Sequence, residues 1–140
     1  MSGFELFVPE VPTKEHEAAV YGGLMQYNAG VAPTEVHPLA VLIRDEDGTD
    51  VGGLWGQSYY NWLAINWLFV PETLRGTGVG SQLMLRAEEI ARDRGCRGAW
   101  LNTFSFQARG FYEKLGFTLF GTIEDHPEGG ARYFLKKRFD

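Results

Sequence analysis

Apolar and polar positions change their spacing several times along the chain, and each change predicts an element. Residues 3–8 alternate weakly, which suits a short first strand. Pro9 and Pro12 end it, because neither can donate to a ladder. Thr13 stands where it can cap a helix starting near Lys14. A full capping box wants Glu or Gln three residues on, where this chain has His16. Ala18, Ala19, Tyr21, Gly22, Leu24 and Met25 carry a soft helical pattern, weakened by the Gly22-Gly23 pair. Residues 28–38 read as a loop. Residues 39–44, 51–59 and 62–70 read as strands, with turns at Asp45-Glu46-Asp47-Gly48 and at Asn61.

Pro71 closes the third of these strands, and a Gly-rich segment leads into a helix over residues 79–94. Val79, Leu83, Ala87, Ile90 and Ala91 share one face of it, Arg92 and Arg94 suit its negative end, and Gly95 stops it. Residues 99–103 form a short apolar strand. Ser105 is a candidate cap for a second amphipathic helix carrying Ala108, Phe111, Tyr112 and Leu115, ended by Gly116. Residues 118–123 and 132–138 are the last two strands, joined by a polar loop that contains Pro127. The order predicts one mixed α/β (α+β) domain over residues 1–140, with antiparallel hairpins early and a βαβ unit in the middle.

Composition narrows the function. The 140 residues carry a formal net charge of -5, which disfavours a nucleic-acid partner, since phosphate neutralisation needs a basic face. No apolar stretch approaches the ~18 residues of a membrane span, so no membrane partner is expected. Met1-Ser2-Gly3-Phe4-Glu5 lacks the basic flank and apolar run of a secretory leader. The single cysteine, Cys96, allows no internal disulfide and suits a reducing, cytoplasmic setting; it reads as structural, with no histidine near it in sequence. No His, Cys, Asp or Glu spacing points to a metal.

The sharpest chemical signal is Arg75-Gly76-Thr77-Gly78-Val79-Gly80, at a strand-to-helix junction and followed by Ser81. Glycines let backbone approach a ligand closely, and a helix N-terminus offers unpaired N–H groups and a positive dipole end. Together they make an anion site suited to a diphosphate. A Walker loop would need lysine after the last glycine, where Ser81 and Gln82 stand. A dinucleotide fingerprint would need glycine at Ser81 or Leu83 and an acid near the end of the next strand, which reads Trp100-Leu101-Asn102-Thr103.

What survives is Arg/Gln-x-x-Gly-x-Gly/Ala, met by Arg75, Gly78 and Gly80, and it resembles the pyrophosphate loop of the GNAT superfamily of N-acetyltransferases. Leu68-Phe69-Val70-Pro71 before the loop is similar to that family's strand-to-loop junction. The segment from Ala108 through Arg109-Gly110-Phe111-Tyr112-Glu113-Lys114 to Phe117 is similar to its late helix. The resemblance covers residues 51–138 well, and the part before Leu39 only in outline. It implies a mostly antiparallel central sheet of about six to seven strands flanked by helices.

The resemblance also implies acetyl-CoA as co-substrate and direct transfer of its acetyl group to a primary amine. By it, Leu68, Phe69 and Val70 lie along the pantetheine arm, where the family has a strand bulge and a backbone N–H polarising the thioester. Arg75, Gly76, Thr77, Gly78, Val79, Gly80 and Ser81 take the diphosphate, and Phe111 and Lys114 complete the cofactor contacts. Tyr112 matches the tyrosine that protonates the leaving sulfur. Its other reading is a core residue on the apolar helix face. Ser105 stands where the family often has Asn against the CoA arm, with Asn102 and Thr103 just upstream.

No base is evident: residues 62–70 hold Asn66 but no acid, and Glu72 is expected to face solvent. His16, His37 and His126 are isolated, so a water beside Asn66, Gln57 or a backbone carbonyl is as good a route. Trp55, Tyr59, Tyr60, Trp62 and Trp67 crowd one hairpin, and those not facing the core suit either an acceptor pocket or a homodimer surface. The acceptor is expected to be a small-molecule or peptide amine. The competing function is a non-catalytic acyl-CoA sensor, which needs the glycines but not Tyr112.

Overall fold

The structure is a computed structural model that describes residues 3–140; Met1 and Ser2, part of the stretch read for a leader, lie outside the described residues. The chain divides into two compact units, Met1–Thr34 and Glu35–Asp140.

The first unit contains one helix, α1 (Lys14–Val31). Thr13 caps it, and His16 fills the place expected of Glu or Gln. The Thr13 hydroxyl accepts from the His16 N–H, while His16 Nδ1 accepts from the Thr13 N–H at 2.9 Å. An imidazole nitrogen is an acceptor like a carboxylate oxygen, so the box closes with a residue outside its usual pair. The helix runs on through Asn28 to Val31, where a loop was expected. The expected first strand over residues 3–8 does not form. Its alternation is weak, and a strand exists only where another strand pairs with it.

The second unit is built on a six-stranded sheet: β1 (His37–Arg44), β2 (Asp50–Tyr59), β3 (Trp62–Phe69), β4 (Gly98–Phe104), β5 (Thr118–Glu124) and β6 (Ala131–Arg138). Their order is β1-β2-β3-β4-β6-β5. Only β3 and β4 run parallel, joined through α2 (Val79–Asp93); every other pair is antiparallel. A two-residue turn links β2 to β3 with φ of 47° at Tyr60 and 65° at Asn61, the left-handed pair that matches strand twist.

One layer of side chains fills the space between the sheet and α2. The helix contributes Leu83, Met84, Ala87 and Ala91, and the sheet Leu39, Leu54, Leu63, Ile65, Ala99, Leu101 and Leu135. Arg94, just past the helix, ties it to the outer strands through the carbonyls of His37 and Pro38 and the buried Ser58 hydroxyl. The short helix α3 (Arg109–Lys114) follows β4.

Ser105 is not the cap of α3; the N-cap is Ala108. The connecting turn is instead held by Gln107, whose Oε1 accepts from the Phe104 N–H at 2.7 Å and from the Thr103 hydroxyl. The Ser105 hydroxyl accepts from the Ala131 N–H on β6. Its preference for a helix start loses to a partner 26 residues away, which sequence order does not reveal.

Candidate active site

The sheet opens where β3 and β4 part. The two strands pair only over Trp62 to Ala64 against Gly98 to Trp100, although β3 runs on to Phe69 and β4 to Phe104. Beyond Ala64 the edge of β3 has lost its neighbour. A bulge begins at the same level: Gly56 of β2 faces Ile65 and Trp55 faces Trp67, so Asn66 is the extra residue. An inserted residue bends its strand and sharpens the twist, which turns β3 away from β4. The family resemblance implied such a bulge, and the pairing puts it two residues before Leu68.

The gap is a cleft of about 820 Å³. Residues 65–70 form one wall, residues 101–103 and 106–108 the other, and Phe111 and Tyr112 of α3 close the side. The Gly-rich turn lies at its mouth with Arg75, Gly76, Gly78, Val79, Gly80 and Ser81.

That turn is shaped by backbone alone. A single 3-10 turn over Glu72–Leu74 leads in, then Gly76 and Gly78 take φ of 80° and 87°. Gly78 is the N-cap of α2 and supplies no side-chain cap. The Thr77 N–H bonds the Leu74 carbonyl, and Gln82 opens the helical ladder by bonding Gly78. Among the described residues the N–H groups of Gly76, Gly78, Val79, Gly80 and Ser81 have no protein acceptor. Five unpaired donors around a helix N-terminus form an anion cradle. Arg75 donates its Nε to the Val70 carbonyl at 3.1 Å, which ties the turn to the end of β3. Gly80 is needed for packing as well: a Cβ there would come 3.2 Å from Phe111 Cζ.

Tyr112 combines an anchored ring with an available hydroxyl. Its ring packs edge-on to Phe111 at 5.1 Å and Phe117 at 6.2 Å. No described residue hydrogen-bonds its hydroxyl, and among the described residues no buried polar side-chain atom lacks a partner, so the oxygen is not sealed in the core and Tyr112 lines the cleft. Burial raises its pKa above the usual phenol value.

Of the residues expected from sequence, Leu68, Phe69, Val70, Arg75, Gly76, Gly78, Val79, Gly80, Ser81, Phe111, Tyr112 and Asn66 line the cleft. Thr77, Ser105, Lys114, Trp55, Tyr59 and Tyr60 are not among its lining residues. The Thr77 hydroxyl turns back to the Leu74 carbonyl, and Ser105 is engaged by Ala131. Tyr59 and Tyr60 stack edge-on at the hairpin turn, at the far end of β3 from the opening. Trp67, one of the hairpin aromatics expected to suit an acceptor pocket or a dimer surface, also lines the cleft, and so do Phe106 and Gln107, which the sequence did not mark. Trp67 follows the bulge, and Phe106 and Gln107 sit in the turn before α3, whose course depends on strand pairing that sequence order does not reveal. The lining contains no carboxylate and no imidazole. Among the described residues no three His, Cys, Asp or Glu side chains cluster as a metal site, and no helix is long and apolar enough to cross a membrane.

The Acetyltransferase (GNAT) family profile matches residues 5–117. The chain is 38% identical over 131 residues to acetyltransferase Atu2258 of Agrobacterium fabrum, covering 93% of this chain and 96% of that one. It is 41% identical over 106 residues to the blasticidin-S acetyltransferase of Streptomyces morookaense, covering 75% and 76%. A crystal structure of an acetyltransferase from Bacillus cereus superposes with a TM-score of 0.84 at 35% identity, over 95% of this chain and 98% of that one. An anion cradle, a split sheet and these likenesses agree: the chain belongs to the GNAT family and is an acyl-CoA-dependent N-acetyltransferase.

Proposed function

We propose that this enzyme acetylates a small-molecule amine, with acetyl-CoA held across the split sheet and Tyr112 as the acid for the departing sulfur. The observation that carries the reading is the set of five unpaired N–H groups between Gly76 and Ser81. Charge-assisted bonds from backbone amides to a diphosphate need no basic side chain beyond Arg75. The freed edge of β3 at residues 68–70 supplies backbone groups to the arm and the thioester. The amine attacks the thioester carbonyl and the C–S bond breaks: the nitrogen loses a proton to water, the sulfur leaves as the CoA thiol with a proton from Tyr112, and solvent returns a proton to the Tyr112 oxygen. With neither carboxylate nor imidazole in the lining, water near Asn66 takes the amine's proton. No metal has a role in this reading. The acceptor in the name of one relative, blasticidin-S, supports a small molecule over a protein side chain.

Two measurements test the function together. Acetyl-CoA at about 100 times its Kd stabilises the fold by about 2.7 kcal/mol, while ATP and NADH leave the melting temperature unchanged. An amine screen followed by thiol titration then shows CoA release; Cys96 adds little background, because it is buried and desolvation raises its thiol pKa. Stabilisation without CoA release from any amine identifies an acyl-CoA sensor and overturns the enzymatic reading.

The same reading makes the protein a cytoplasmic homodimer. A free thiol and a thioester substrate suit a reducing compartment. Leu42 and Trp55 are exposed on adjoining strands of one sheet face, beside the cleft residues Trp67 and Phe69, and contiguous exposed apolar side chains are what an interface covers. Light scattering is expected to give twice the 15.7 kDa chain mass, and Trp55→Glu, off the cleft, to give single chains. A wild-type monomer at micromolar concentration removes the dimer.

A further inference from the structure

The β4 wall of the cleft is backed by a guanidinium that the protein leaves half used. Arg132 lies on β6 directly opposite Phe104 of β4, and it is half-buried. Its Nε donates to Asn102 Oδ1 at 2.8 Å. Its Cζ lies 5.3 Å from the Phe104 ring centroid and 5.4 Å from that of Phe134. Among the described residues no carboxylate is within ion-pair distance, and its two terminal Nη groups have no protein acceptor. The neighbouring Arg109 differs, being paired with Glu113 at 3.4 Å.

Such an arrangement suits a counter-ion. A partly desolvated charge without a partner is costly, and the rings and the Nε bond already fix the plane of the group. What remains free is the planar fork that matches a carboxylate through two parallel bonds. Arg132 is not itself a lining residue; its guanidinium is one hydrogen bond from Asn102, which lines the cleft. Phe106, which also lines it, stacks on Phe104 at 5.5 Å, and His126 meets the same ring edge-on at 5.3 Å. The lining itself offers no acid to hold a second cation on an acceptor.

We propose that Arg132 is the acceptor-specificity residue and that the acceptor is an amine that also carries a carboxylate, paired with the Arg132 fork at the Asn102 side of the cleft. The proposal rests on the acetyltransferase reading above. It assigns opposite jobs to the cations of the site: Arg75 belongs to the diphosphate turn, and Arg132 sorts acceptors by charge.

The test compares each amino acid of an acceptor panel with its own primary carboxamide, which keeps shape and amine but removes the charge. Wild-type kcat/KM is expected to favour the acid by about 30-fold, the worth of a hydrogen-bonded charge. In Arg132→Gln that ratio falls to near one, and Arg132→Lys, which keeps the charge but not the fork, restores part of it. Acetyl-CoA stabilisation is measured on every variant, so a folding or cofactor defect is seen separately. Should Arg132→Gln not fold, the wild-type ratio and the lysine variant still decide. Equal use of acids and carboxamides by the wild type, or an acid preference that survives in Arg132→Gln, overturns the inference while leaving the acetyltransferase standing. No CoA release with any amine removes both.

Discussion

Tyr112→Phe is expected to lower kcat by about 10²- to 10³-fold, the usual worth of a positioned proton donor, with the KM for acetyl-CoA changed less than about threefold. Phenylalanine keeps the ring, and with it the edge contacts to Phe111 and Phe117 that hold the late helix against the core. Only the hydroxyl is lost, and no described residue depends on it. The thermal midpoint should therefore stay close to that of the wild type. A core tyrosine with no chemical role predicts an unchanged kcat, so a loss under about threefold removes Tyr112 from the reaction.

The pH profile carries the same argument. Burial raises the phenol pKa, so the group stays protonated up to and beyond its ordinary value of about 10. Below that, the cleft lining supplies neither a carboxylate nor an imidazole. The rise of kcat/KM with pH then follows the acceptor's own amine, and the position of that limb moves from one acceptor to another. A limb fixed near 6 to 7 for every acceptor would point to an enzyme imidazole or carboxylate instead. Tyr112 also contributes stability that is full below about 10 and is lost as pH rises through its raised pKa.

The parts of the molecule legible in sequence were those whose cause is local. Pro71, the alternating glycines and the apolar stripe of α2 all act within a few residues of themselves, so the junction of β3 with its helix could be read directly. The left-handed turn at Tyr60 and Asn61 was likewise marked by its own residues. The bulge at Asn66 was not, because an extra residue exists only relative to the strand it faces, and Gly56 and Trp55 are ten or more residues away. For the same reason Ser105 was read as a helix cap. Its hydroxyl is captured by Ala131, and Gln107 takes over the turn. Residues 3–8 show the reverse case, an alternating pattern without a strand to pair. Arg132 drew no attention as one charge in a terminal strand; its meaning appears only when β6 sets it beside Phe104 and Asn102.

Gly78→Val is expected to raise the KM for acetyl-CoA by more than about 100-fold and to abolish stabilisation by the cofactor. Gly78 has φ of 87° at the N-cap of α2, in the region that branched side chains avoid. Nothing lies within 4 Å of a Cβ built there, so the branch point itself meets open space. The folding penalty is then limited to backbone strain of about 1–2 kcal/mol. The ligand bears the larger loss. The new methyls stand in the open space beside the unpaired N–H groups, and relief of the strain by rotating φ turns those donors out of the cradle. Losing two charge-assisted bonds removes about 3 kcal/mol or more of binding, which is beyond 100-fold in Kd. Gly80→Ala gives a contrast by a different route: its Cβ presses on the Phe111 ring, whose edge can shift by a few tenths of an ångström. Its effect on KM should be the smaller of the two. Near-wild-type acetyl-CoA binding by a folded Gly78→Val protein would mean that the diphosphate is not held by this turn, and the assignment of every residue from Arg75 to Ser81 would fall with it.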